Sequence, residues 1–163
     1  MKNLDIIKNK IHTVESIQSL LHVWRFKEQK IVFTNGCFDI LHQGHVDYLA
    51  KAADLGNVLI IGVNTDQSVR TIKNPDRPIN DEYSRALLLA SMHFTSAIIL
   101  FDEETPYNLI SAIMPDVLVK GADYKVENIV GADLVLANGG RVETIEFLPG
   151  FSTTGIINKI KNS

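Results

Sequence analysis

Two histidines three residues apart, His42 and His45, follow a buried-looking apolar run and a glycine turn, and open a helical pattern. At that spacing on a first helical turn the two rings share one face. Gly44 removes a side chain between them and lets a ligand approach the backbone. A helix N-terminus also presents unpaired N–H groups and a partial positive charge. Thr34, Asn35, Gly36, Phe38 and Gly44 therefore frame a turn suited to phosphate, with two imidazoles to donate hydrogen bonds as charge grows on a phosphoryl group. Such chemistry needs no covalent enzyme intermediate. A structural histidine pair is the plain alternative. A zinc site built from Cys37, Asp39, His42 and His45 is another, although paired-cysteine spacing is missing.

A second cluster, Ser152-Thr153-Thr154, opens the last helical pattern. One hydroxyl suffices to cap a helix; three in a row suggest a second cradle of N–H and hydroxyl donors for phosphate. Glycine is absent at position 154, so the stretch is no nucleophile elbow. Cations are available nearby in sequence: Arg70 and Lys73 in a polar segment, Arg77 after them, and Arg85 on the next helix. A triphosphate calls for several such charges, and Arg85 suits a bidentate phosphate contact. Solvated charge is the competing reading of each. Lys120-Gly121-Ala122-Asp123 follows an apolar strand, where Lys120 either reaches a ligand or reaches solvent, and Asp123 is a ligand contact or a turn residue.

The elements that must carry these groups alternate. Thr13 caps a helical pattern in which Val14, Ile17, Leu21 and Trp24 recur. Apolar strands are expected at 30–34, 58–63, 97–101, 117–119 and 141–147, separated by helices at about 43–55 and 82–92, from 106, before 139, and from 152. The segment 66–80, polar and carrying Pro75 and Pro78, reads as a mobile surface loop. This order predicts an α/β, Rossmann-like, doubly wound and mainly parallel five-stranded sheet with helices on both faces. Ligands in such sheets sit beyond the carboxyl ends of the strands. One domain is expected over 1–163, with 1–29 a helical extension and 30–160 the catalytic core.

Composition narrows the partners. Net charge is −3, so no broad basic field exists for nucleic acid. No apolar run reaches membrane-spanning length, the first ten residues lack a signal-peptide core, and the single cysteine fits a reducing compartment, so a cytoplasmic location is expected. The absence of G-x-x-x-x-G-K-[ST] and of G-x-G-x-x-G after the first strand argues against P-loop and dinucleotide enzymes. His12, His22 and His93 have no supporting context and read as structural.

Phe33 to His45, with Ser152-Thr153-Thr154, resembles the cytidylyltransferase-like nucleotidyltransferases. Val63-Asn64-Thr65-Asp66, Arg77-Pro78, Val119 to Tyr124 and Ala137 to Gly140 extend that likeness to the adenylyltransferases that make ADP-heptose, for lipopolysaccharide, from D-glycero-β-D-manno-heptose 1-phosphate. Phe147 to Phe151 stands where the CTP-using members carry an arginine-rich stretch, which points away from CTP. The resemblance implies transfer of AMP from ATP with release of pyrophosphate. Its implied catalytic residues are His42, His45, Lys73 and Arg85. Thr34, Asn35, Gly36, Phe38, Gly44, Arg70, Ser152, Thr153 and Thr154 are expected on the nucleotide and its phosphates. Asp39, Asp66, Arg77, Lys120, Gly121 and Asp123 are expected on the sugar phosphate or base. Mg²⁺ is the implied cofactor, bound mainly through the triphosphate with Asp39 or Asp66 assisting. A homodimer is expected, with the sugar kinase that is often fused to this family on a separate chain. A cytidylyltransferase acting on a polyol phosphate, and a non-catalytic nucleotide-binding module, are the alternatives.

Overall fold

The computed structural model describes residues 2–162. Helix α1 (Asn3–Lys8) leads into a two-residue strand, β1 (Ile11–His12), and then α2 (Val14–Phe26). The Thr13 hydroxyl accepts from Ser16 N and so caps α2 as its sequence predicts. The alternation continues through β2 (Ile31–Gly36), α3 (Gln43–Ala53), β3 (Val58–Asn64), α4 (Asp66–Ile72), α5 (Glu82–Ala90) and β4 (Ala97–Phe101). It closes with α6 (Tyr107–Ile113), β5 (Val117–Gly121), α7 (Ala132–Ala137), β6 (Arg141–Ile145) and α8 (Thr153–Lys161).

All strands pair in parallel in one sheet of order β1-β4-β3-β2-β5-β6. The sheet therefore has six strands, not five. The extra one, β1, is too short to leave a period in the sequence; it is held at the edge by Ile11 and His12 in register with Ile98 and Ile99. Strand order reverses at β2, since β3 and β4 build to one side and β5 and β6 to the other. The crevice beyond β2 and β5 is the switch point where such sheets take ligands.

Successive strand residues point to opposite faces, and both faces are covered. Ile31, Phe33, Val58 and Ile60 join Ile17 and Leu21 of α2 and Leu109 and Ile113 of α6 in one core. Val32, Leu59, Ile61 and Val63 join Leu49 of α3 and Ala86 and Leu89 of α5 in the other. This two-faced burial accounts for the unbroken apolar run of β3, all seven residues of which are buried.

The segment expected as a loop over 66–80 departs from expectation in its first half. Thr65 accepts from Ser68 N and caps α4, which buries Ser68 and Val69. Only 73–80 is loop. The helix carries a short apolar face, and that brevity hid it among the polar residues and prolines.

Candidate active site

Strand β2 ends at Gly36, and the chain must turn sharply to start α3. Phe38 makes the turn at φ 47, a backbone conformation side chains seldom adopt. Its ring lies against Gly36, where a Cβ would come within 3.0 Å of Phe38 Cε2. The same ring meets His45 edge-on at 5.4 Å. His42 is the N-cap residue of α3, and its ring stacks on His45 with centroids 3.8 Å apart. Nδ1 of both rings is buried without a hydrogen-bond partner. Buried polar atoms are nearly always paired, so two orphaned imidazole nitrogens side by side set this turn apart from an ordinary core. Burial, and then the neighbouring His42, push His45 down to about 4, and burial lowers His42 as well. Both rings are thus neutral near pH 7 in the free protein.

The hydroxyl-rich turn comes to the same spot. The Phe151 and His42 ring centroids lie 6.4 Å apart, and a Cβ on Gly44 would sit 3.1 Å from both His42 Nδ1 and Phe151 Cβ. Gly44 therefore lets the two helix starts approach. Thr153 Oγ1 donates to Ile40 O at 3.4 Å. The three hydroxyls divide their work: Ser152 Oγ accepts from Gly155 N at 3.0 Å and caps α8, while Thr153 and Thr154 line a cavity. Ser152, expected on phosphate, is a cap.

The cavity has a volume of about 550 Å³. Beyond β2 it is walled by Asn35, Gly36, Phe38 and His45. Toward β5 and β6 the wall is Lys120, Gly121, Asp123, Tyr124 and Phe147, with Thr153 and Thr154. Lys120 Nζ donates to Asn35 Oδ1, and burial pulls it down to about 8 against the opposing pull of Asp123. Gly121 has no room for a side chain, since a Cβ there would collide with the Phe147 ring. Toward β3 and β4 the wall is Asn64, Lys73, Arg77, Glu104 and Thr105.

Several residues expected on the ligand are used inside the protein instead. Arg85 is 0% exposed, and its guanidinium donates to Asn80 O at 3.0 Å, Cys37 O at 2.5 Å and Asp66 Oδ1 at 2.8 Å. It has no face toward the cavity, so the expected bidentate phosphate contact does not arise. Asp66, bound to Arg85, does not line the cavity either. Asp39 lies on the cavity wall with its carboxylate consumed: it accepts from Ile79 N, Asn80 N and Arg77 Nε at 2.8, 2.9 and 2.5 Å. Burial raises its pKa, but the Asn80 and Ile79 amides and the Arg77 guanidinium outweigh that and hold it below the usual range. Thr34 is buried against the Tyr48 hydroxyl at 2.8 Å, and Arg70 is exposed on α4 away from the cavity.

These engagements bear on metal. The Asp39 carboxylate is fully engaged, Asp66 Oδ1 is held by Arg85 away from the cavity, and no group of three His, Cys, Asp or Glu suited to a metal occurs among the described residues. No helix among the described residues is long and apolar enough to cross a membrane.

Sequence reasoning passed over Glu104, Thr105, Tyr124, Phe147 and Tyr48, all on the cavity wall. The strand-end rule, extended to β4, selects Glu104 and Thr105, a few residues past its end. Tyr124 and Phe147 carry no signal that separates them from core aromatics.

A family model described as cytidylyltransferase-like matches residues 33–159. Bifunctional protein HldE of Campylobacter jejuni subsp. doylei is 52% identical over 149 residues, covering 91% of this chain and 32% of that protein. Bifunctional protein HldE of Citrifermentans bemidjiense is 47% identical over 163 residues, 100% of this chain and 31% of that protein. The chain thus spans about a third of the length of these relatives. Among solved structures, a lipopolysaccharide core biosynthesis protein from Thermoplasma volcanium GSS1 superposes with a TM-score of 0.59 at 29% identity, covering 74% of this chain and 97% of that one. Pantoate-beta-alanine ligase from Francisella tularensis shares the fold at a TM-score of 0.59 and 17% identity, over 94% and 78% of the two chains.

Proposed function

The chain belongs to the cytidylyltransferase-like family, and on that premise we propose that it transfers AMP from ATP to D-glycero-β-D-manno-heptose 1-phosphate, giving ADP-heptose and pyrophosphate. The observation that carries this reading is the meeting of His45, with the His42 ring stacked on it, Lys120 and the Thr153-Thr154 turn at one cavity at the switch point of the sheet; His42 itself does not line that cavity. The heptose acceptor is argued from the sequence likeness and from the HldE relatives.

The cavity walls differ in character, and the difference suggests how the substrates share it. Aromatic Tyr124 and Phe147 beside Gly121 suit a flat base, and Thr153 and Thr154 at the start of α8 suit the phosphates attached to it. Lys73 and Arg77, with Asn64 and Glu104, suit a phosphate that carries a hydroxylated sugar. An acceptor phosphate held there approaches the α-phosphorus from the side opposite the departing pyrophosphate. A phosphate monoester is already a nucleophile at neutral pH, so no general base is needed. Positioning and charge neutralisation then do most of the catalytic work. His42 and His45, neutral before substrate arrives, donate ring N–H groups to phosphate oxygens as negative charge accumulates. Lys120 adds a positive charge from a buried position. Mg²⁺ belongs in this scheme to the nucleotide, held by the triphosphate and not by the protein. A homodimer and a sugar kinase acting upstream remain part of the proposal, as does a cytoplasmic setting.

The test is purified protein with Mg²⁺ and a panel of ATP or CTP against heptose 1-phosphate or glycerol 3-phosphate, read by pyrophosphate release and mass spectrometry of the product. ADP-heptose from the first pair supports the proposal. A CDP-polyol moves the chain to the cytidylyltransferase alternative, and nucleotide binding without any product makes it a binding module.

A further inference from the structure

The 73–80 loop carries two cavity cations, Lys73 and Arg77, yet it has little apolar anchorage. Lys73 is exposed, and Ile79 is 57% exposed. The loop is held down by polar bonds that converge on its far end. Asp39, whose side chain is 1% exposed, accepts from both Ile79 N and Asn80 N, and Asn80 Nδ2 donates back to Asp39 O at 2.8 Å. The third bond to that carboxylate comes from Arg77 Nε at 2.5 Å. No bond involves the terminal guanidinium nitrogens of Arg77 among the described residues, and Arg77 lines the cavity. The Nε bond therefore fixes the stem of the side chain and leaves its fork for an anion. Arg85 braces the same junction from below: one guanidinium binds Asn80 O in the loop, Cys37 O in the turn after β2, and Asp66 at the start of α4.

Burying a carboxylate and a guanidinium costs their hydration before their bonds return any of it. Merely covering the core is done more cheaply by apolar side chains. What the polar version supplies is a fixed distance between the phosphate-facing turn at 36–45 and the loop that carries Lys73 and Arg77. We propose that Asp39 and Arg85 are positioning residues, fastening the 73–80 loop to the β2 turn so that Arg77 and Lys73 receive the acceptor's phosphate at a set distance from His45. The acceptor's part in this rests on the nucleotidyltransferase reading; the fastening of the loop does not.

The experiment compares Asp39→Asn, Arg77→Ala and the double variant in the full chain. With ATP and sugar phosphate, Asp39→Asn raises KM for the sugar phosphate about tenfold or more and leaves KM for ATP within about twofold. Because part of Asp39's effect passes through Arg77 and the rest through the loop that carries Lys73, the double variant loses less than the two single losses combined. Amide hydrogen exchange at Ile79 and Asn80 accelerates in Asp39→Asn, while α3 keeps its protection. Should Asp39→Asn fail to fold, Asn80→Ala removes only the bond to Asp39 O and raises the same KM severalfold. Additive losses in the double variant, equal losses for ATP and acceptor, or unchanged exchange at Ile79 and Asn80 would each overturn the proposal. If the wild-type protein turns over no acceptor at all, the functional reading falls separately. Inorganic phosphate affinity, weakened about tenfold in Asp39→Asn if the loop is positioned as proposed, then decides this one together with the exchange rates.

Discussion

Two polar clusters lie side by side beyond β2, and they are opposites. In the turn at 36–45, His42 and His45 are half-buried, and the buried Nδ1 atom of each has no hydrogen-bond partner among the described residues. In the neighbouring junction, Asp39 and Arg85 are buried with three bonds each to partners within the chain. Both clusters carry residue types that phosphate chemistry uses, and both sit at the end of the sheet where ligands bind. The difference lies in bookkeeping of donors and acceptors. A cluster whose hydrogen bonds are all made is scaffold; one left incomplete is the place to look for a ligand.

Removing a member of each cluster should produce different losses. His45→Ala is expected to lower kcat about 100-fold or more with ATP binding retained, as loss of one transition-state donor does elsewhere. Near-normal kcat would move His45 into the scaffold group. Arg85→Ala is expected to lower unfolding free energy in urea by about 3 kcal/mol, since it strands the 24% exposed Asp66 carboxylate and two carbonyls. Full stability with lost nucleotide affinity would instead return Arg85 to the ligand. Lys120 gives a subtler effect. It titrates near 8 in the free protein, so it loses its charge as pH rises, and kcat/KM should fall above about pH 8. Lys120→Arg, charged throughout, should carry that limb to higher pH. The smallest effect belongs to Arg70, exposed on α4 and off the cavity wall: Arg70→Ala should leave kcat/KM within about twofold.

Acid stability gives the same contrast by another route. The unfolded His45 titrates near 6.5 and the folded one near 4, so between those values the unfolded chain binds more protons. Stability therefore rises with pH across that window and is lost as pH falls from 6.5 toward 4. Thermal melting of His45→Gln should show a flatter dependence there.

How far the sequence could be read follows from the same distinction. Periodic apolar runs reveal strands buried on both faces, and a glycine turn before H-x-G-H locates the helix start beside the cavity, because those signals are local. Strand β1 escapes because two residues hold no period, and α4 because its apolar face is only a turn or two long. Arg85 and Asp39 were assigned to the ligand because a sequence gives a residue's charge but not its partners. The Asp39 bonds span 38 to 41 positions in the chain, and those of Arg85 reach 5, 19 and 48. Ser152 went to phosphate for a related reason: three hydroxyls in a row do not say which one caps.

The most direct test of this contrast is nitrogen–proton NMR of the full chain, titrated with a non-hydrolysable ATP analogue and Mg²⁺. The ring nitrogens of His42 and His45 should shift strongly and their titration should move to higher pH, while the Arg85 Nε signal stays in place. A displaced Arg85 signal beside unmoved imidazoles would contradict the account.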